Sequence, residues 1–164
     1  MFDDLRDLYQ EVILDHGRKP RNFRRLENAD RTARGDNPRC GDRMELFLKL
    51  APDGSIDDAA FQGRGCAISM ASASLMTETV KGKSPEQAHM LGDRFRSLAM
   101  TGTCPECGAE LADEMERLQP LSGVHEFPSR VKCATLAWHT YKNAVEEGKN
   151  AVEEGKNAVE EGAT

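Results

Sequence analysis

The sequence has no long apolar run, since no uninterrupted hydrophobic stretch approaches the roughly 18 residues that a membrane-spanning helix needs. It also has no basic excess: 22 Lys and Arg stand against 28 Asp and Glu, for a net charge of −6, whereas nucleic-acid-binding proteins normally carry a basic excess. The acidic start, Met1 to Leu5, lacks the basic and apolar regions of a signal peptide. We therefore expect a cytoplasmic protein that binds neither membranes nor nucleic acid.

Motifs for phosphate binding and hydrolysis are also missing. The glycines of Gly63-x-Gly65 are followed by neither a third Gly nor the Lys-Ser/Thr ending of a phosphate-binding loop. No local pattern supports Ser-His-Asp chemistry. Cysteine, in contrast, is present five times. An odd count in a cytoplasmic chain argues against a disulfide framework, so metal or thiol chemistry is the leading hypothesis.

Hydrophobic periodicity and turn residues divide the chain into short elements. Alternating apolar residues predict two strands, and Pro52 to Ser55 between them predicts a turn that makes the pair antiparallel. Ser84, with Pro85 and Gln87 after it, is typical of a capped helix start. The predicted strands are Met44 to Leu50 and Ile56 to Gln62, and the predicted helices are Phe2 to about His16, Cys66 to Val80, Ser84 to about Ala99, Glu110 to Leu118 and one after Pro128.

Two segments have unusual charge. The stretch 17–34 holds seven cations against two anions and is predicted to be an extended connector, either a solvated surface or a docking patch for an acidic partner. The stretch 143–164 repeats Asn-Ala-Val-Glu-Glu-Gly-Lys, with a Gly in every repeat that argues against a coiled coil. We predict one domain over 1–142 and an acidic repeat tail over 143–164 that is disordered or a frayed helix.

Three cysteines occupy positions that favour thiolate or metal binding. Cys40 lies in the glycine-flanked loop Asn37 to Asp42, and Cys66 is predicted at a helix start, where the helix dipole lowers a thiol pKa. Cys133 is predicted in the first turn of the last helix. Together with Asp42, these residues supply the four ligands of a tetrahedral zinc site or of one edge of an iron–sulfur cluster. The alternative is three buried cysteines that act only as small apolar residues.

The other candidate ligands have weaker patterns. Cys104-Pro105-Glu106-Cys107 resembles half of a zinc ribbon, but the chain has no second such pair. Redox use, a metal shared between subunits and an incidental thiol pair all remain open for it. His139 follows Cys133 by six residues, too far around a helix to face the same metal. None of the four histidines is assigned as a ligand.

Several of these stretches, in this order, resemble the U-type iron–sulfur assembly proteins, which include IscU, the N-terminal part of NifU, and SufU. The chain is most similar to the SufU branch, because Lys132 stands where scaffold-type members have His, and because an extra segment of about Met100 to Pro120 precedes the last helix. The matching stretches are Leu8-Tyr9, Val12 to His16, Pro20 to Asn22, Asn37 to Asp42, Phe61 to Ser69 and Phe127 to Trp138.

The resemblance implies an α+β fold, a small antiparallel β-sheet packed against several α-helices, with a metal site at one end. It further implies Zn²⁺ held by Cys40, Asp42, Cys66 and Cys133. The implied partner is a pyridoxal-phosphate cysteine desulfurase of the SufS type, with a Suf scaffold or apo-proteins as downstream acceptors. In that role the protein is a sulfur relay rather than a stand-alone enzyme, and Cys40, on a loop able to swing away, is the predicted persulfide acceptor.

Two other functions remain open from the sequence. The same four residues could assemble and transfer a [2Fe–2S] cluster, or hold iron, which would make the protein a scaffold. A structural zinc domain that only mediates protein contacts would also carry such a site.

Overall fold

The computed structural model describes residues 2–37, 41–104 and 110–147, with side chains between Tyr9 and Glu146 within those ranges. Five α-helices, one 3₁₀ helix and three strands follow one another along these residues. They are α1 (Phe2–Arg18), β1 (Arg31–Asn37), β2 (Asp42–Leu50), β3 (Ile56–Arg64), α2 (Ala67–Val80), α3 (Pro85–Thr101), α4 (Ala112–Leu118), the 3₁₀ helix (Gln119–Glu126) and α5 (Pro128–Glu147).

The strands form one antiparallel sheet in the order β1-β2-β3. Helix α5 packs against β1 and β2, α2 packs against β3 and α5, and α1 packs on α2. The predicted α+β fold, with a small antiparallel sheet backed by helices, is confirmed. No helix within the described ranges is long and apolar enough to cross a membrane.

The β2–β3 hairpin and the start of α3 form as their sequences predict. Gly54 has a φ of 89° in the turn between the strands, a conformation that glycine adopts without strain. At α3, the Ser84 side chain accepts a hydrogen bond from the Gln87 backbone N–H, and the Gln87 side chain accepts one from the Ser84 N–H. This reciprocal cap satisfies two backbone donors that the helix itself leaves unpaired.

Strand β1 was not predicted, because its first residues were assigned to the basic connector. Its sequence, Arg-Thr-Ala-Arg-Gly-Asp-Asn, is polar and poor in strand-forming residues. Pairing with β2 and packing under α5 determine it: Ala33 and Gly35 are buried, and a Cβ atom on Gly35 would lie 2.0 Å from the Thr140 hydroxyl. The tertiary contact, not local preference, makes this segment a strand.

The connector before β1 covers the outer edge of β3. Arg24 donates its backbone N–H to the Phe61 carbonyl, and Phe61 donates to the Asn22 carbonyl. Four cations of the basic stretch form ion pairs with acids: Arg21 with Asp15, Arg24 with Asp58, Arg25 with Glu27 and Arg34 with Glu45. Part of the positive charge is therefore balanced within the fold, and the predicted docking patch is smaller than the sequence indicates.

Helix α5 runs five residues into the predicted tail, as far as Glu147. Ala144, in the first repeat, is fully buried in the core. The remaining repeats lie outside the described residues, so the division at residue 142 stays a prediction.

Candidate metal centre

Three chain segments meet at one end of the sheet and bring Asp42, Cys66 and Cys133 together. Asp42 begins β2, Cys66 is the N-cap residue of α2, and Cys133 lies on α5. One carboxylate oxygen and the two sulfur atoms all lie within 4.8 Å of one another. Two thiolates and a carboxylate at this spacing are ligands that zinc accepts, at about 2.3 Å for sulfur and 2.0–2.2 Å for oxygen.

Asp42 is fully buried. Its Oδ1 accepts a hydrogen bond of 2.9 Å from the Cys66 backbone N–H. Its Oδ2 is buried and has no hydrogen-bond partner among the described residues. Burying a carboxylate oxygen without a hydrogen-bond donor costs on the order of several kcal/mol, unless a cation or proton binds to it. The Asp42 carboxylate is thus oriented by one oxygen and left open at the other.

The two sulfur atoms lie in different environments. Cys133 is fully buried and Cys66 is half-buried. The Cys66 sulfur is 3.8 Å from the Ser69 hydroxyl, and the Cys133 sulfur is 3.7 Å from the Ser129 carbonyl. Neither cysteine is in a disulfide. These long sulfur contacts leave both sulfurs able to act as metal ligands.

Arg130, one turn before Cys133 on α5, places a cation at the edge of the cluster. The pKa of Arg130 is raised first by the negative charge of Cys66 and second by a hydrogen bond that Arg130 donates to the Cys133 sulfur. An exposed guanidinium thus lies beside both sulfur atoms. Sequence reasoning did not assign Arg130, although its spacing of three residues from Cys133 on a helix was a usable signal.

Gly65 makes room for the Asp42 carboxylate. A Cβ atom at position 65 would lie 2.6 Å from Asp42 Oδ1 and 2.4 Å from the Ser69 hydroxyl oxygen. A Cβ atom does not approach other atoms this closely, so any other residue at position 65 would displace the Asp42 carboxylate or the Ser69 hydroxyl. The cluster depends on this close approach.

Three of the four predicted ligands thus lie together. The fourth, Cys40, falls outside the described residues, and its place in the site stays a prediction. One local expectation was wrong: Cys133 is the sixth residue of α5, beyond the first turn. The positive end of a helix dipole therefore lies closer to Cys66, the N-cap residue of α2, than to Cys133.

Among the described residues, no histidine and no further cysteine joins this cluster. Cys104 is half-buried, packs against the core and is disulfide-bonded, while Cys107 lies outside the described residues. His16 is hydrogen-bonded to Ser74, and His139 lies between α3 and α5. Within the described ranges, the Asp42, Cys66 and Cys133 group is the only one of its kind.

Comparison with known families gives a match that spans most of the chain. The family model described as the NifU-like N terminal domain matches residues 8–134. The Bacillus subtilis protein named zinc-dependent sulfurtransferase SufU is 44% identical over 147 residues, covering 88% of this chain and 95% of that protein. The iron–sulfur cluster assembly scaffold protein IscU of Streptococcus pyogenes is 39% identical over 142 residues, covering 87% of this chain and 85% of that protein.

Solved structures show the same fold. A crystal structure of a hypothetical protein superposes with a TM-score of 0.74 at 37% identity, covering 85% of this chain and 98% of the other. A structure from Fervidobacterium islandicum, described as a candidate iron–sulfur cluster assembly scaffold protein for the SUF system, has a TM-score of 0.73 at 29% identity, covering 83% and 95%. These likenesses extend over nearly the whole described chain.

Proposed function

The chain belongs to the NifU-like N-terminal domain family of iron–sulfur cluster assembly proteins, and we propose that within this family it acts in the cytoplasm as a zinc-dependent sulfur acceptor. In this role it takes persulfide sulfur from a cysteine desulfurase and passes it toward cluster assembly. The name of the B. subtilis relative, a zinc-dependent sulfurtransferase, supports the choice of metal and activity.

The observation that carries the proposal is the buried, unpartnered Oδ2 of Asp42, beside the sulfurs of Cys66 and Cys133. Those two sulfurs and one oxygen are three donors of the type zinc prefers. Cys40, two residues before Asp42 in the sequence, would supply a third sulfur. When bound, zinc would act as a Lewis acid that keeps its thiolate ligands deprotonated at neutral pH.

We assign some residues of the site to holding the metal and one residue to accepting the sulfur. Asp42, Cys66 and Cys133 are on the regular elements β2, α2 and α5 or at their ends, which suits permanent ligands. Cys40 precedes Gly41, whose φ of 72° turns the chain in a way that glycine adopts without strain. The sequence predicts Cys40 in a loop, and a loop cysteine is better suited to leave and return than a cysteine within a helix, so Cys40 is the proposed sulfur acceptor.

The proposed transfer is a thiol–persulfide exchange. The Cys40 thiolate attacks the outer sulfur of a persulfide on the desulfurase cysteine. The sulfur–sulfur bond of that persulfide breaks, its inner sulfur leaves as the desulfurase thiolate, and Cys40 then carries the persulfide. Arg130, close to the Cys66 and Cys133 sulfurs, favours negative charge at the site throughout.

The proposed sulfur donor is a pyridoxal-phosphate cysteine desulfurase of the SufS type, and the proposed receivers are a Suf scaffold or apo-proteins. The exposed residues at the start of α5, Phe127 to Arg130, lie next to the cluster along the chain. The Phe127 ring, which is 59% exposed, and the Arg130 cation are available for contact with such a partner.

A second function has its own support, since the relative from S. pyogenes is named as a scaffold protein. In that case the same four residues would assemble and transfer a [2Fe–2S] cluster. Two thiolates and a carboxylate do not by themselves separate the two metals, because cysteine sulfur also holds iron–sulfur clusters.

Metal analysis of the purified protein separates these functions, with Asp42→Asn as the key variant. Asparagine keeps an oxygen that can accept the Cys66 N–H but replaces Oδ2 with an NH₂ group that cannot bind a metal. We expect about one zinc per chain in the wild type and much less in Asp42→Asn. Asp57→Asn, an exposed carboxylate on β3, is the matched control and should keep the wild-type zinc content. A stable visible cluster absorbance after anaerobic reconstitution would favour the scaffold instead.

A desulfurase assay tests the acceptor. We expect the wild type to stimulate release of sulfur from cysteine by a SufS-type enzyme, and Cys40→Ser to lose that stimulation. Ser129→Ala, next to the site on α5, is a control that removes no sulfur. Full stimulation by Cys40→Ser would show that another residue accepts the sulfur, and no stimulation by the wild type would leave only a structural role for the metal.

A further inference from the structure

Helices α3 and α5 leave a cavity of about 70 Å³ between them, away from the cysteine cluster. Its inner wall is apolar and aromatic, with Ala88 and Phe95 from α3 and Trp138 from α5. Trp138 stacks on Phe95, with ring centroids 5.8 Å apart and an interplanar angle of 28°. The wall is therefore a rigid apolar surface that opens to the outside between two helices.

Cations surround the opening of this cavity. Arg96 and Lys142 are exposed and line it, and neither forms an ion pair within the described part of the chain. Both act on His139, which also lines the cavity: burial lowers the pKa of His139 first, and the charges of Arg96 and Lys142 lower it further. The two cations therefore face the same small region.

One carboxylate also lines the cavity. Asp93 Oδ2 lies 3.5 Å from His89 Nε2, one turn away on α3. The side chains that line the cavity thus include two cations, Arg96 and Lys142, and one carboxylate, Asp93. The opening therefore has a positive surplus.

Two side chains of the cavity wall, Trp138 and Tyr141, carry polar groups that lie beneath its surface. Trp138 Nε1 and the Tyr141 hydroxyl are buried without a hydrogen-bond partner among the described residues, and both residues line the cavity. Burial raises the pKa of Tyr141, so its hydroxyl remains a donor at neutral pH.

From this arrangement we propose that the α3–α5 cavity binds a small organic carboxylate. Arg96 and Lys142 hold its carboxylate group at the opening, and its apolar part lies against Trp138 and Phe95. A cavity of 70 Å³ is about half the size of an engineered one that holds benzene, so it suits an alkyl group of two or three carbons. The apolar wall favours a carboxylate over inorganic phosphate, which has no apolar face.

The single tryptophan of the chain is the reporter, because Trp138 is the only one in the sequence. We expect acetate, propionate and butyrate, at constant ionic strength set by sodium chloride, to change its fluorescence and its one indole N–H resonance in a saturable way. Affinity should rise about fourfold for each added methylene, given the free energy of burying a CH₂ group, until the cavity is filled. Inorganic phosphate should bind more weakly than propionate.

Variants separate this site from a general salt effect. Arg96→Gln and Lys142→Gln should each weaken propionate binding about tenfold, since a hydrogen bond to a charged group contributes about that much. Arg31→Gln, which removes a cation from β1, should leave it unchanged. Circular dichroism and zinc content verify that each variant is folded and loaded.

Three results would overturn the proposal. They are a response to carboxylates that does not saturate, a response to phosphate that equals that to propionate, and wild-type affinity in folded Arg96→Gln and Lys142→Gln. None of them bears on sulfur transfer.

Discussion

Helix α2 lies beside two buried polar groups that are paired in opposite ways, Asp42 at its start and Ser74 at its middle. At its start, Asp42 accepts one hydrogen bond from the Cys66 N–H and keeps a buried oxygen without a partner. Two turns later, the buried Ser74 hydroxyl accepts the Arg21 backbone N–H at 2.8 Å and is hydrogen-bonded to His16 Nδ1 at 2.7 Å.

This difference in pairing indicates different roles for the Asp42 site and the Ser74 site. A fully paired buried group stabilises one arrangement of the chain, here the packing of α1 on α2. A buried carboxylate that is oriented but incompletely paired is unfavourable unless something binds it. We therefore assign a structural role to the Ser74 site and propose that the Asp42 site binds a metal.

Metal removal should have the largest effect on stability, and this effect should depend on the Asp42 site alone. A ligand held at a thousand times its Kd stabilises the folded state by about 4 kcal/mol, which corresponds to a Tm shift of about 8–16 °C for a chain of this size. We expect a chelator to lower the wild-type Tm by that amount in differential scanning calorimetry. Asp42→Asn should show almost no chelator effect, and a shift equal to that of the wild type would place the zinc elsewhere.

Ser74→Ala should have the next largest effect, because it leaves the Arg21 N–H and His16 Nδ1 unpaired. Each buried unsatisfied group is worth about 1–3 kcal/mol, so we expect a loss of about 2–4 kcal/mol in urea unfolding. Zinc content should not change. Ser97→Ala, an exposed-side hydroxyl on α3, is the control and should alter the free energy of unfolding by less than about 0.5 kcal/mol. Loss of zinc in folded Ser74→Ala would show that the Ser74 site and the Asp42 site are coupled.

Gly65→Ala should weaken zinc binding with a smaller effect on folding. The added Cβ would push against the Asp42 carboxylate and displace its open oxygen. We expect zinc affinity in a competition titration to fall at least about tenfold, which corresponds to about 1.4 kcal/mol. Gly123→Ala is the matched control, since a Cβ there meets no atom within 4 Å. Equal affinities in the two variants would mean that the carboxylate does not bind the metal.

The smallest expected effect is the dependence of stability on pH through His16, the partner of Ser74. Burial lowers the pKa of His16 first and the charge of Arg21 lowers it further, while Glu78 and Asp15 oppose them. The unfolded chain then binds a proton more readily than the folded one, so stability is complete above the unfolded pKa and falls as pH drops toward the folded pKa. In the zinc-free Asp42→Asn background, Tm should fall less between pH 7.5 and 5.5 when His16→Asn is added. An equal fall in both proteins would place the titrating group elsewhere.

The sequence predicted local structure well where a short pattern is sufficient. Alternation and the Pro52 to Ser55 turn predicted the β2–β3 hairpin, and the Ser84 to Gln87 cap predicted the start of α3. It failed at β1, because a polar segment becomes a strand only by pairing with β2 and packing under α5. It also placed Cys133 one turn too early, since helix periodicity does not fix where α5 begins.

For the candidate site, residue types and order were enough to select Asp42, Cys66 and Cys133, whose chemistry suits a metal. Their meeting could not be derived from spacing, because 24 residues separate Asp42 from Cys66, and Cys133 follows on another helix. Arg130 and the role of Gly65 as a space for the carboxylate are visible only when those segments are packed together.

By itself, the sequence determined which chemical groups the protein has and which short segments are helical or extended, since these depend on neighbours along the chain. The tertiary structure decided which polar groups are buried next to one another and which of them have no hydrogen-bond partner. Asp42 and Ser74 are both buried polar residues, and nothing local distinguishes a binding group from a structural one. The partners that packing brings to each oxygen make that distinction.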